Sequence, residues 1–332
     1  ELVAGAVTSA VKKCGMPEGT FSLVHGKSTF VGLTIVRHPL IKAIGFTGSF
    51  RGGKALFDAA NLRPVPIPVY AEMGSTNPVF ILPEALKERG EAIARDLTTS
   101  VTLGTGQFCT NPGLVFVPGD QRGREFMEAF SASFREAACG VMLTADIRAN
   151  FHSRTEWLAV AEGVERVSKG KESSDGFGAS AHLFRTSAAN FLGNRELGEE
   201  VFGPSTLAVV FDDRAQLMEI AGRLDGHLTA TVHGTEKELG RYEDLIRILE
   251  QKAGRLIING YPTGVEVSHA MVHGGPFPAT TDSRTTSVGT DAIRRFTRPV
   301  CYQNFPADLL PPELRDENPL KIWRLVEGKW TA

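Results

Sequence analysis

The sequence predicts an α/β protein with parallel sheets. Short apolar runs alternate with amphipathic helical patterns along most of the chain, and this alternation is typical of parallel sheets covered by helices. The chain has 332 residues, of which 42% are hydrophobic and 22% are charged. A chain of this length and composition buries a sizeable core and is long enough for two domains.

The elements are predicted from these patterns in chain order. The predicted helices are residues 1–14, 28–36, 51–60, 85–103, 122–138, 214–224 and 236–251. The predicted strands are residues 21–25, 42–48, 66–74, 78–82, 113–119, 205–212, 228–234 and 254–260, with a short strand at 298–304 in the tail. Residues 270–289 have no periodicity and are rich in glycine, threonine and proline, which predicts a long ordered loop of a kind that is usually functional.

Charge and apolar content exclude several classes of function. The formal net charge is −2 and the basic residues are scattered, so nothing supports binding to nucleic acid or to a membrane surface. No apolar run approaches the ~20 residues that cross a bilayer, and residues 1–10 lack the basic start of a signal peptide. We therefore expect a cytoplasmic protein.

A free cysteine in a glycine-rich turn is the first candidate for chemistry. The four cysteines show no CxxC pair and no His/Cys ligand spacing, so neither a disulfide framework nor a metal site is expected. Cys109 lies in GTGQFCTNPG, residues 104–113, a turn that suits an exposed nucleophile. The local sequence leaves open that Cys109 is a buried structural thiol, the commoner fate of a free cysteine.

A glutamate at the end of an apolar strand is the second candidate. Glu72 lies in AEMGSTNP, residues 71–78, where a carboxyl group would be partly desolvated. Such a carboxylate suits a general base near neutral pH. The alternative, which the residues leave open, is a solvated or helix-capping carboxylate.

Two further segments have features of a nucleotide site. In GEEVFGPS, residues 198–205, Glu200 and Phe202 are two positions apart, so on an extended chain both side chains face one side and could grip a ribose and its ring. In AIGFTGS, residues 43–49, small residues precede a predicted helix whose first N–H groups suit a phosphate. The second segment is not a GxGxxG motif and is a weak signal by itself.

Together these segments resemble the aldehyde dehydrogenase superfamily. The motifs GFTGS, EMGSTNP, GQFCTNPG and EEVFGP occur in the order and approximate spacing of that superfamily. Three longer segments are similar to its 2,5-dioxovalerate (α-ketoglutaric semialdehyde) dehydrogenase branch, which is related to NADP-linked fatty aldehyde dehydrogenases. They are FTGSFRGGKALFDAA, PTGVEVSHAMVHGGPFPATTDSRTTSVG and RPVCYQNFPADLLPPEL. Residues 73 and 75–77 differ from the commoner pattern ELGGKSP, as they do in this branch.

The resemblance implies an enzyme that oxidises an aldehyde to a carboxylic acid. Cys109 would be the nucleophile, forming a thiohemiacetal and then a thioester, and Glu72 would be the base that activates the water for hydrolysis. The implied substrate is 2,5-dioxovalerate, which would be oxidised to 2-oxoglutarate. A fatty or other aldehyde is the alternative.

The implied cofactor is NADP or NAD. Glu200 would bind the nicotinamide ribose, and Phe202 would pack near the nicotinamide. Gly48 and Ser49 would approach the pyrophosphate. The branch favours NADP, but the residues that discriminate the two cofactors in the family lie upstream of Glu1.

The implied fold is aldehyde dehydrogenase-like. Residues 1–71 would be the C-terminal part of a parallel-sheet cofactor domain, and residues 72–290 an α/β catalytic domain. Residues 291–332 would return to the cofactor domain and end in an oligomerisation tail. Its strand at 298–304 would join the subunits of a homo-oligomer by edge pairing.

The start of the chain affects the expected activity. The chain begins at Glu1, within a predicted helix and without an initiator methionine, so we expect a segment before it. In the family an upstream region supplies the first cofactor strands, a lysine for the adenosine ribose and an oxyanion-hole asparagine. Loss of one oxyanion donor typically lowers kcat about 10²- to 10³-fold. We therefore expect weak dinucleotide binding and little activity from the chain as given.

The distal carboxylate of a semialdehyde acid needs a cation. Arg284, in the loop TTDSRTTSVG, is a candidate by position, with the alternative that it only hydrogen-bonds its own loop. None of the eight histidines has metal-ligand spacing. Only His273, beside Gly274 and Gly275, is singled out by its position.

Three other interpretations remain. An acylating enzyme that uses coenzyme A commonly lacks the glutamate base, so Glu72 argues against it. A cofactor-free thiol esterase or acyl-transfer protein would need only Cys109 and Glu72. A structural subunit would contribute the tail strand, residues 298–304, to an oligomer.

Overall fold

The computed structural model describes residues 1–26, 28–172 and 176–332. Within them the chain divides into two compact units, Glu1–Arg295 and Phe296–Ala332, which are described separately. Among the described residues, no helix is both long enough and apolar enough to cross a membrane. The domain boundaries implied by the resemblance stay a prediction.

The first unit contains most of the regular structure. Its helices are α1 (Leu2–Lys13), α2 (Thr29–Arg37), α3 (Phe50–Asn61), α4 (Pro83–Thr102), α5 (Gln121–Glu136), α6 (Ala145–Val160), α7 (Ala188–Gly193), α8 (Arg214–Arg223), α9 (Glu236–Arg241) and α10 (Glu243–Glu250). Its strands are β1 (Ile44–Thr47), β2 (Val69–Glu72), β3 (Val79–Ile81), β4 (Leu114–Pro118), β5 (Gly140–Val141), β6 (Val164–Lys169), β7 (Gly178–Ala179), β8 (His182–Ser187), β9 (Ser205–Phe211), β10 (His227–His233) and β11 (Ala253–Ile258).

A seven-stranded sheet forms the centre of this unit. Its strand order is β11-β10-β3-β4-β9-β8-β6, and every neighbouring pair is parallel except β6 with β8. Each residue of β4 is buried, as expected for a strand covered on both faces. One apolar cluster includes Ile93 of α4 and Phe130 of α5, and another includes Leu217 of α8 and Leu245 of α10. The predicted parallel α/β architecture is confirmed.

A separate two-stranded sheet lies before it in the chain. Strands β1 and β2 are parallel, and their last residues, Thr47 and Glu72, are register partners. Residues 73–78 then lead directly into β3 of the large sheet. This connector therefore runs from the carboxyl end of one sheet to the amino end of the next.

The amino end of the large sheet collects several of the predicted motifs. The segment 73–78 precedes β3, the segment 104–113 precedes β4, and the segment 198–204 precedes β9. Because β3, β4 and β9 are parallel neighbours, the residues before them lie at one edge of the sheet. Three stretches that are far apart in the sequence are thereby brought together.

Most predicted elements of the first unit are present, but two predictions were wrong. Residues 21–25 form no strand and are largely exposed, because no described strand lies beside them to satisfy their backbone groups. The predicted helix at 236–251 is interrupted at Tyr242, whose φ and ψ of −110° and 28° are not helical. The sequence patterns gave no prediction for residues 139–197, which contain α6, β6 and β8.

The second unit has little regular structure. It contains one antiparallel hairpin, β12 (Arg324–Val326) with β13 (Lys329–Thr331), and short 3-10 turns at Ala307–Leu309 and Pro312–Leu314. The two hairpin turn residues, Glu327 and Gly328, both have positive φ, as a tight two-residue turn requires. The predicted strand at 298–304 is wrong, since these residues have no strand pairing in the described chain. Oligomerisation through this tail stays a prediction.

The core predicts a large stability loss when one aromatic side chain is removed. Phe116 is fully buried on β4 and stacks on Phe80, with ring centroids 4.7 Å apart. Phe116→Ala is expected to lower the free energy of unfolding by about 3–5 kcal/mol, because the sheet leaves little room for collapse. Guanidinium unfolding followed by circular dichroism measures this. Phe30→Ala, at a side chain that is 71% exposed, is the control and should change stability by less than about 0.5 kcal/mol. Equal losses would contradict the core assignment.

Candidate active site

The loop that carries Cys109 is shaped by three residues in left-handed conformation. Helix α4 is followed by Gly104, Thr105 and Gly106, with φ of 55°, 60° and 62°. Gly106 lies against the backbone of Gly203, where a Cβ would come within 2.2 Å of the Gly203 carbonyl carbon. Only a residue without a side chain permits this approach. The predicted nucleophile loop and the segment 198–205 are therefore in direct contact.

Asn77 connects the glutamate segment to the cysteine loop. Its side-chain amide donates to the carbonyl oxygens of Cys109 and Asn111, both at 2.9 Å, and its Oδ1 accepts from Thr229 Oγ1 at 3.0 Å. Asn77 is completely buried and has a φ of 45°. The sequence analysis gave Asn77 no role. It fixes the backbone at Cys109 and directly after it.

His273 stands between the two predicted catalytic residues. Its Nε2 is 3.3 Å from Cys109 Sγ, and its Nδ1 is 2.8 Å from Glu72 Oε2. Glu72 and His273 are buried, and Cys109 is half-buried. The structure therefore brings Cys109 and Glu72 together through an imidazole. A cysteine, a histidine and a carboxylate in this order are the parts of an activated thiol nucleophile.

The long loop predicted at 270–289 places this histidine. Met73 N donates to Ala279 O at 2.8 Å and Thr281 N donates to Ala71 O at 3.1 Å, so the loop runs beside β2 up to Glu72. Gly254 on β11 faces Gly274, where a Cβ would lie 2.2 Å from the Gly274 carbonyl oxygen. The loop is held from both sides next to His273. The loop was predicted to be of a functional kind, and its position next to Glu72 agrees with that prediction.

A second cation faces Glu72. The Nη2 atom of Arg295 is 3.6 Å from Glu72 Oε1, and its Nε donates to Thr285 Oγ1 at 3.0 Å. Arg295 is 92% buried, since its relative exposure is 8%. Each oxygen of the Glu72 carboxylate therefore faces a basic side chain, which keeps its negative charge compensated in a buried site.

The contacts of His273 change its protonation. The hydrogen bond with Cys109 and then that with Glu72 raise the pKa of His273 from 6.5 to about 9, while burial acts in the opposite direction. His273 is therefore an imidazolium at neutral pH. Because the pKa of His273 is higher in the folded state than in the unfolded chain, its protonation stabilises the folded state. This contribution to the free energy of unfolding is fully present below about pH 6.5 and is lost as the pH rises through about 9. This imidazolium places a positive charge 3.3 Å from the Cys109 sulfur.

Gly48 and Ser49 lie at the start of α3, beside Glu72. Gly48 N donates to Glu72 O at 3.0 Å, and Ser49 Oγ accepts from Gly52 N at 3.2 Å as the helix cap. Both residues are exposed. The first N–H groups of a helix have no acceptor within it, so this exposed end suits a phosphate group. The predicted pyrophosphate contact fits this geometry.

Glu200 and Phe202 lie near the other side of the cysteine loop. Glu200 Oε1 accepts from Ser75 N at 3.3 Å, and a Cβ at Gly74 would come within 2.4 Å of Glu200 Oε2. Burial raises the pKa of Glu200 to about 7, and the Ser75 N–H acts against this shift. A narrow cavity is lined by Ser75, Thr76, Phe108, Asn111, Gly113, Glu200, Val201 and Phe202. Its volume of about 10 Å³ holds about one water molecule, so the contacts of Glu200 and Phe202 with a ribose and its ring stay a prediction.

The charge of Arg284 is paired with a carboxylate of its own loop. Its Nε and Nη2 atoms donate to the two oxygens of Asp282 at 3.0 and 2.9 Å, and its side chain is 86% exposed. The hydrogen bond from Arg284 N to the same carboxylate, at 2.9 Å, completes a local loop structure. This is the alternative role that the sequence left open for Arg284. Its role in substrate binding stays a prediction.

Comparison with known proteins tests the resemblance directly. The family model described as "Aldehyde dehydrogenase family" matches residues 1–298. The chain belongs to the aldehyde dehydrogenase family. Aldehyde dehydrogenase-like motifs were the basis of the sequence prediction, which is confirmed.

Two curated relatives match the branch that was predicted. The chain is 47% identical over 332 residues to the α-ketoglutaric semialdehyde dehydrogenase of Acinetobacter baylyi, covering 100% of this chain and 63% of that protein. It is 48% identical over 331 residues to α-ketoglutaric semialdehyde dehydrogenase 2 of Azospirillum brasilense, covering 99% of this chain and 63% of that protein. The chain thus spans less than two thirds of the length of these two relatives.

A solved structure agrees on the fold. The γ-glutamyl-γ-aminobutyraldehyde dehydrogenase of Burkholderia cenocepacia superposes with a TM-score of 0.73 at 21% identity, over 88% of this chain and 58% of that one. At this identity the likeness shows the fold alone. The aldehyde dehydrogenase-like α/β fold is therefore confirmed.

The sequence analysis assigned no role to three residues that lie in the candidate site of this aldehyde dehydrogenase chain. His273 was singled out by position but given no role, and Asn77 and Arg295 were given none. The signal for His273 was its place in a loop too long and too ordered to be a simple connection. For Arg295 the sequence offers no signal, because its partner Glu72 is 223 positions away.

The imidazolium predicts a pH-dependent thiol reactivity. An ordinary thiol is only a few per cent ionised at pH 7, so His273→Ala should slow alkylation of Cys109 by iodoacetamide about 5- to 10-fold at that pH. The difference should disappear above about pH 9, where wild-type His273 loses its proton. Peptide mass spectrometry separates Cys109 from the exposed Cys14 and Cys301.

The control for this experiment is His269→Ala. His269 is exposed and its Nδ1 is 3.1 Å from Thr290 Oγ1, outside the Cys109 contacts. It should react like the wild type at each pH. If His273→Ala also did so, the imidazolium would have no part in the reactivity of the thiol.

The raised pKa of Glu200 predicts a pH-dependent stability. The folded state holds a proton on Glu200 that the unfolded chain releases above about pH 4.5. The contribution of this proton to the free energy of unfolding is therefore lost as the pH rises through about 7. Glu200→Gln removes the titration, and its stability relative to the wild type should increase between pH 5 and pH 8 by on the order of 3 kcal/mol. Denaturant unfolding at both pH values measures the difference. Glu199→Gln, at an exposed neighbour, should show no such trend.

Proposed function

We propose that the protein uses Cys109 to oxidise an aldehyde to a carboxylic acid with NADP or NAD. The observation that carries the proposal is the Cys109–His273–Glu72 chain, with contacts of 3.3 and 2.8 Å, next to residues suited to a nucleotide. Family membership supports the same reaction. The activity is proposed and not taken over from the relatives, since this chain spans 63% of the length of each of them.

The first step is addition of sulfur to the aldehyde carbon. His273 Nε2 holds the proton taken from the Cys109 thiol, and the Glu72 carboxylate stabilises the imidazolium at Nδ1. The developing oxyanion lies near the backbone N–H of Cys109, which has no acceptor among the described residues. An unpaired N–H aimed at a developing negative charge is the usual element of an oxyanion hole.

We propose that two segments hold the dinucleotide. The exposed start of α3 at Gly48 and Ser49 would hold the pyrophosphate, and Glu200 would accept a hydrogen bond from a ribose hydroxyl. Phe202, which is 37% exposed, would contact the nicotinamide. NADP or NAD, when bound, supplies the acceptor for the hydride that leaves the substrate carbon. The branch favours NADP.

The second half of the reaction releases the acid. After the hydride has left, the acyl group is bound to Cys109 as a thioester, and water must lose a proton as it attacks the acyl carbon. In the family prediction Glu72 is this base. We propose that the water proton goes to Glu72, because His273 Nε2 already holds the proton taken from the thiol and returns it to the sulfur as the thioester breaks.

The substrate we propose is 2,5-dioxovalerate, which would be oxidised to 2-oxoglutarate. The names of the two relatives that are 47% and 48% identical support this choice. A fatty or other aldehyde is the alternative within the family.

A cofactor-free thiol esterase is the second candidate function. The hydrogen-bonded cysteine, histidine and glutamate are the groups that such an enzyme needs, and none of them requires a nucleotide. Turnover of p-nitrophenyl acetate distinguishes the two. An esterase acts at full rate without nucleotide, whereas activity with an aldehyde requires NADP or NAD.

The experiment compares the purified protein with Cys109→Ala and Glu72→Gln. Each is incubated with 2,5-dioxovalerate and NADP or NAD while the absorbance of the reduced nicotinamide is followed. We expect Cys109→Ala to abolish turnover, since no thiohemiacetal forms. Glu72→Gln should lower steady-state turnover at least about 10²-fold because the acyl-enzyme accumulates. Equal turnover by the wild type and Cys109→Ala would refute the mechanism.

A further inference from the structure

Arg255 lies on the strand next to the one that supports the cysteine loop. In the parallel pair β10–β11 it is the register partner of Thr229. Thr229 Oγ1 donates to Asn77 at 3.0 Å, and Asn77 in turn donates to the Cys109 carbonyl at 2.9 Å. Side chains at partner positions of neighbouring strands leave the same face of the sheet. The Arg255 side chain therefore leaves on the face that carries Asn77 and the Cys109 loop.

The charge of Arg255 has no anionic partner. Its Nη1 donates to Gly264 O at 3.1 Å and its Nη2 to Pro262 O at 2.6 Å, and both acceptors are neutral carbonyls. Among residues 1–26, 28–172 and 176–332, no carboxylate lies within ion-pair distance of it. The residue is half-buried. Burial lowers its pKa, while the nearby Cys109 acts in the opposite direction.

A half-buried cation without a counter-ion is unusual. Burying an unpaired charge is costly, and buried charges in folded proteins are generally paired or bound to a ligand. The guanidinium fork presents more N–H groups than the two carbonyls occupy. The remaining ones are available to an acceptor supplied from outside the chain.

The other arginines near the long loop differ in this respect. The Arg284 charge is taken by Asp282, with Nη2 and Oδ2 2.9 Å apart, and its side chain is 86% exposed. Arg295 is 3.6 Å from the Glu72 carboxylate. Of these three arginines, Arg255 alone has a charge that no described carboxylate compensates.

We propose that Arg255 binds the distal carboxylate of the aldehyde substrate. The inference rests on the proposed function, and it assigns to Arg255 the cation that position alone had suggested for Arg284. The guanidinium, next to Pro262 and Gly264 and on the face that carries the Cys109 loop, would then receive the far end of a short semialdehyde acid whose aldehyde carbon is at Cys109 Sγ. A planar guanidinium can hold a carboxylate by two parallel hydrogen bonds, which fixes the direction of the chain as well as its charge.

This role makes Arg255 a specificity residue. It favours aldehydes that carry a carboxylate over neutral aldehydes of similar length, and it does not take part in the covalent steps at the thiol. An Arg255 that merely supports the loop at 262–264 would affect all aldehydes equally. The two roles therefore differ in the ratio of activities.

The first test uses alkylation and needs neither cofactor nor turnover. The rates at which anionic iodoacetate and neutral iodoacetamide modify Cys109 are compared in the wild type, Arg255→Met, Arg255→Lys and Arg284→Met. We expect the iodoacetate-to-iodoacetamide ratio to fall about 10-fold in Arg255→Met and to remain near the wild-type value in Arg284→Met. Arg255→Lys should be intermediate, because it keeps the charge but not the fork. An unchanged ratio in Arg255→Met would overturn the proposal.

The second test measures substrate choice. In Arg255→Met, kcat/KM for 2,5-dioxovalerate should fall about 30-fold or more, the usual effect of truncating one partner of a desolvated charge pair. For pentanal, which has five carbons but no carboxylate, it should change less than about 3-fold. Equal losses for both aldehydes would indicate a structural role and refute the assignment, as would a selective loss in Arg284→Met alone.

The two tests separate this proposal from the proposed function. If the wild type oxidises no aldehyde, the dehydrogenase proposal fails, while the alkylation ratio still decides whether Arg255 attracts an anion to Cys109. If the wild type oxidises pentanal and 2,5-dioxovalerate equally well and Arg255→Met changes neither rate, the dehydrogenase survives and the Arg255 proposal fails. Unchanged iodoacetamide reactivity in Arg255→Met shows that the cysteine loop is intact.

Discussion

The buried amide of Asn77 is the interaction on which the site depends. It lies in the connector between the two sheets and donates to the carbonyls of Cys109 and Asn111. A buried carbonyl without a donor is costly, so both carbonyls are held where the amide can reach them. The amide thus ties the position of Cys109 to that of the β2–β3 connector, which begins directly after Glu72. The hydrogen bond from Gly113 N to Thr76 O, at 2.8 Å, joins the same two segments.

A second constraint is electrostatic. Glu72 is buried between an imidazolium on one oxygen and a guanidinium 3.6 Å from the other. In a site of low dielectric the carboxylate is attracted to both cations, which repel each other, and removing Glu72 would leave two buried cations uncompensated. Arg295 therefore compensates the charge of Glu72 without touching the sulfur. The reactivity of the thiol depends on residues from three separate segments of the chain.

The large elements and the four motifs could be predicted from the sequence, because their signals are local. Apolar runs bounded by turn residues identified β4, β9 and β10, and the motif order identified the family. The hairpin β12–β13 was not identified, although Glu-Gly between two short apolar runs is a turn signal. The contacts made by His273 and Arg295 could not be predicted, since each joins residues that are far apart in the sequence. The periodicity of apolar residues predicts which face of an element is buried, but it does not predict which other element packs against that face.

The contact between Gly106 and Gly203 has a consequence for how this site can change over time. At most packing contacts a larger residue on one side can be accommodated by a smaller one on the other. Here a Cβ added to Gly106 would lie 2.2 Å from the carbonyl carbon of Gly203. This neighbour is main chain, which no substitution can make smaller. No single compensating substitution is therefore open to the chain at this point. The cysteine loop and the segment 198–205 can diverge in their side chains, but their backbones must keep a common path at this point.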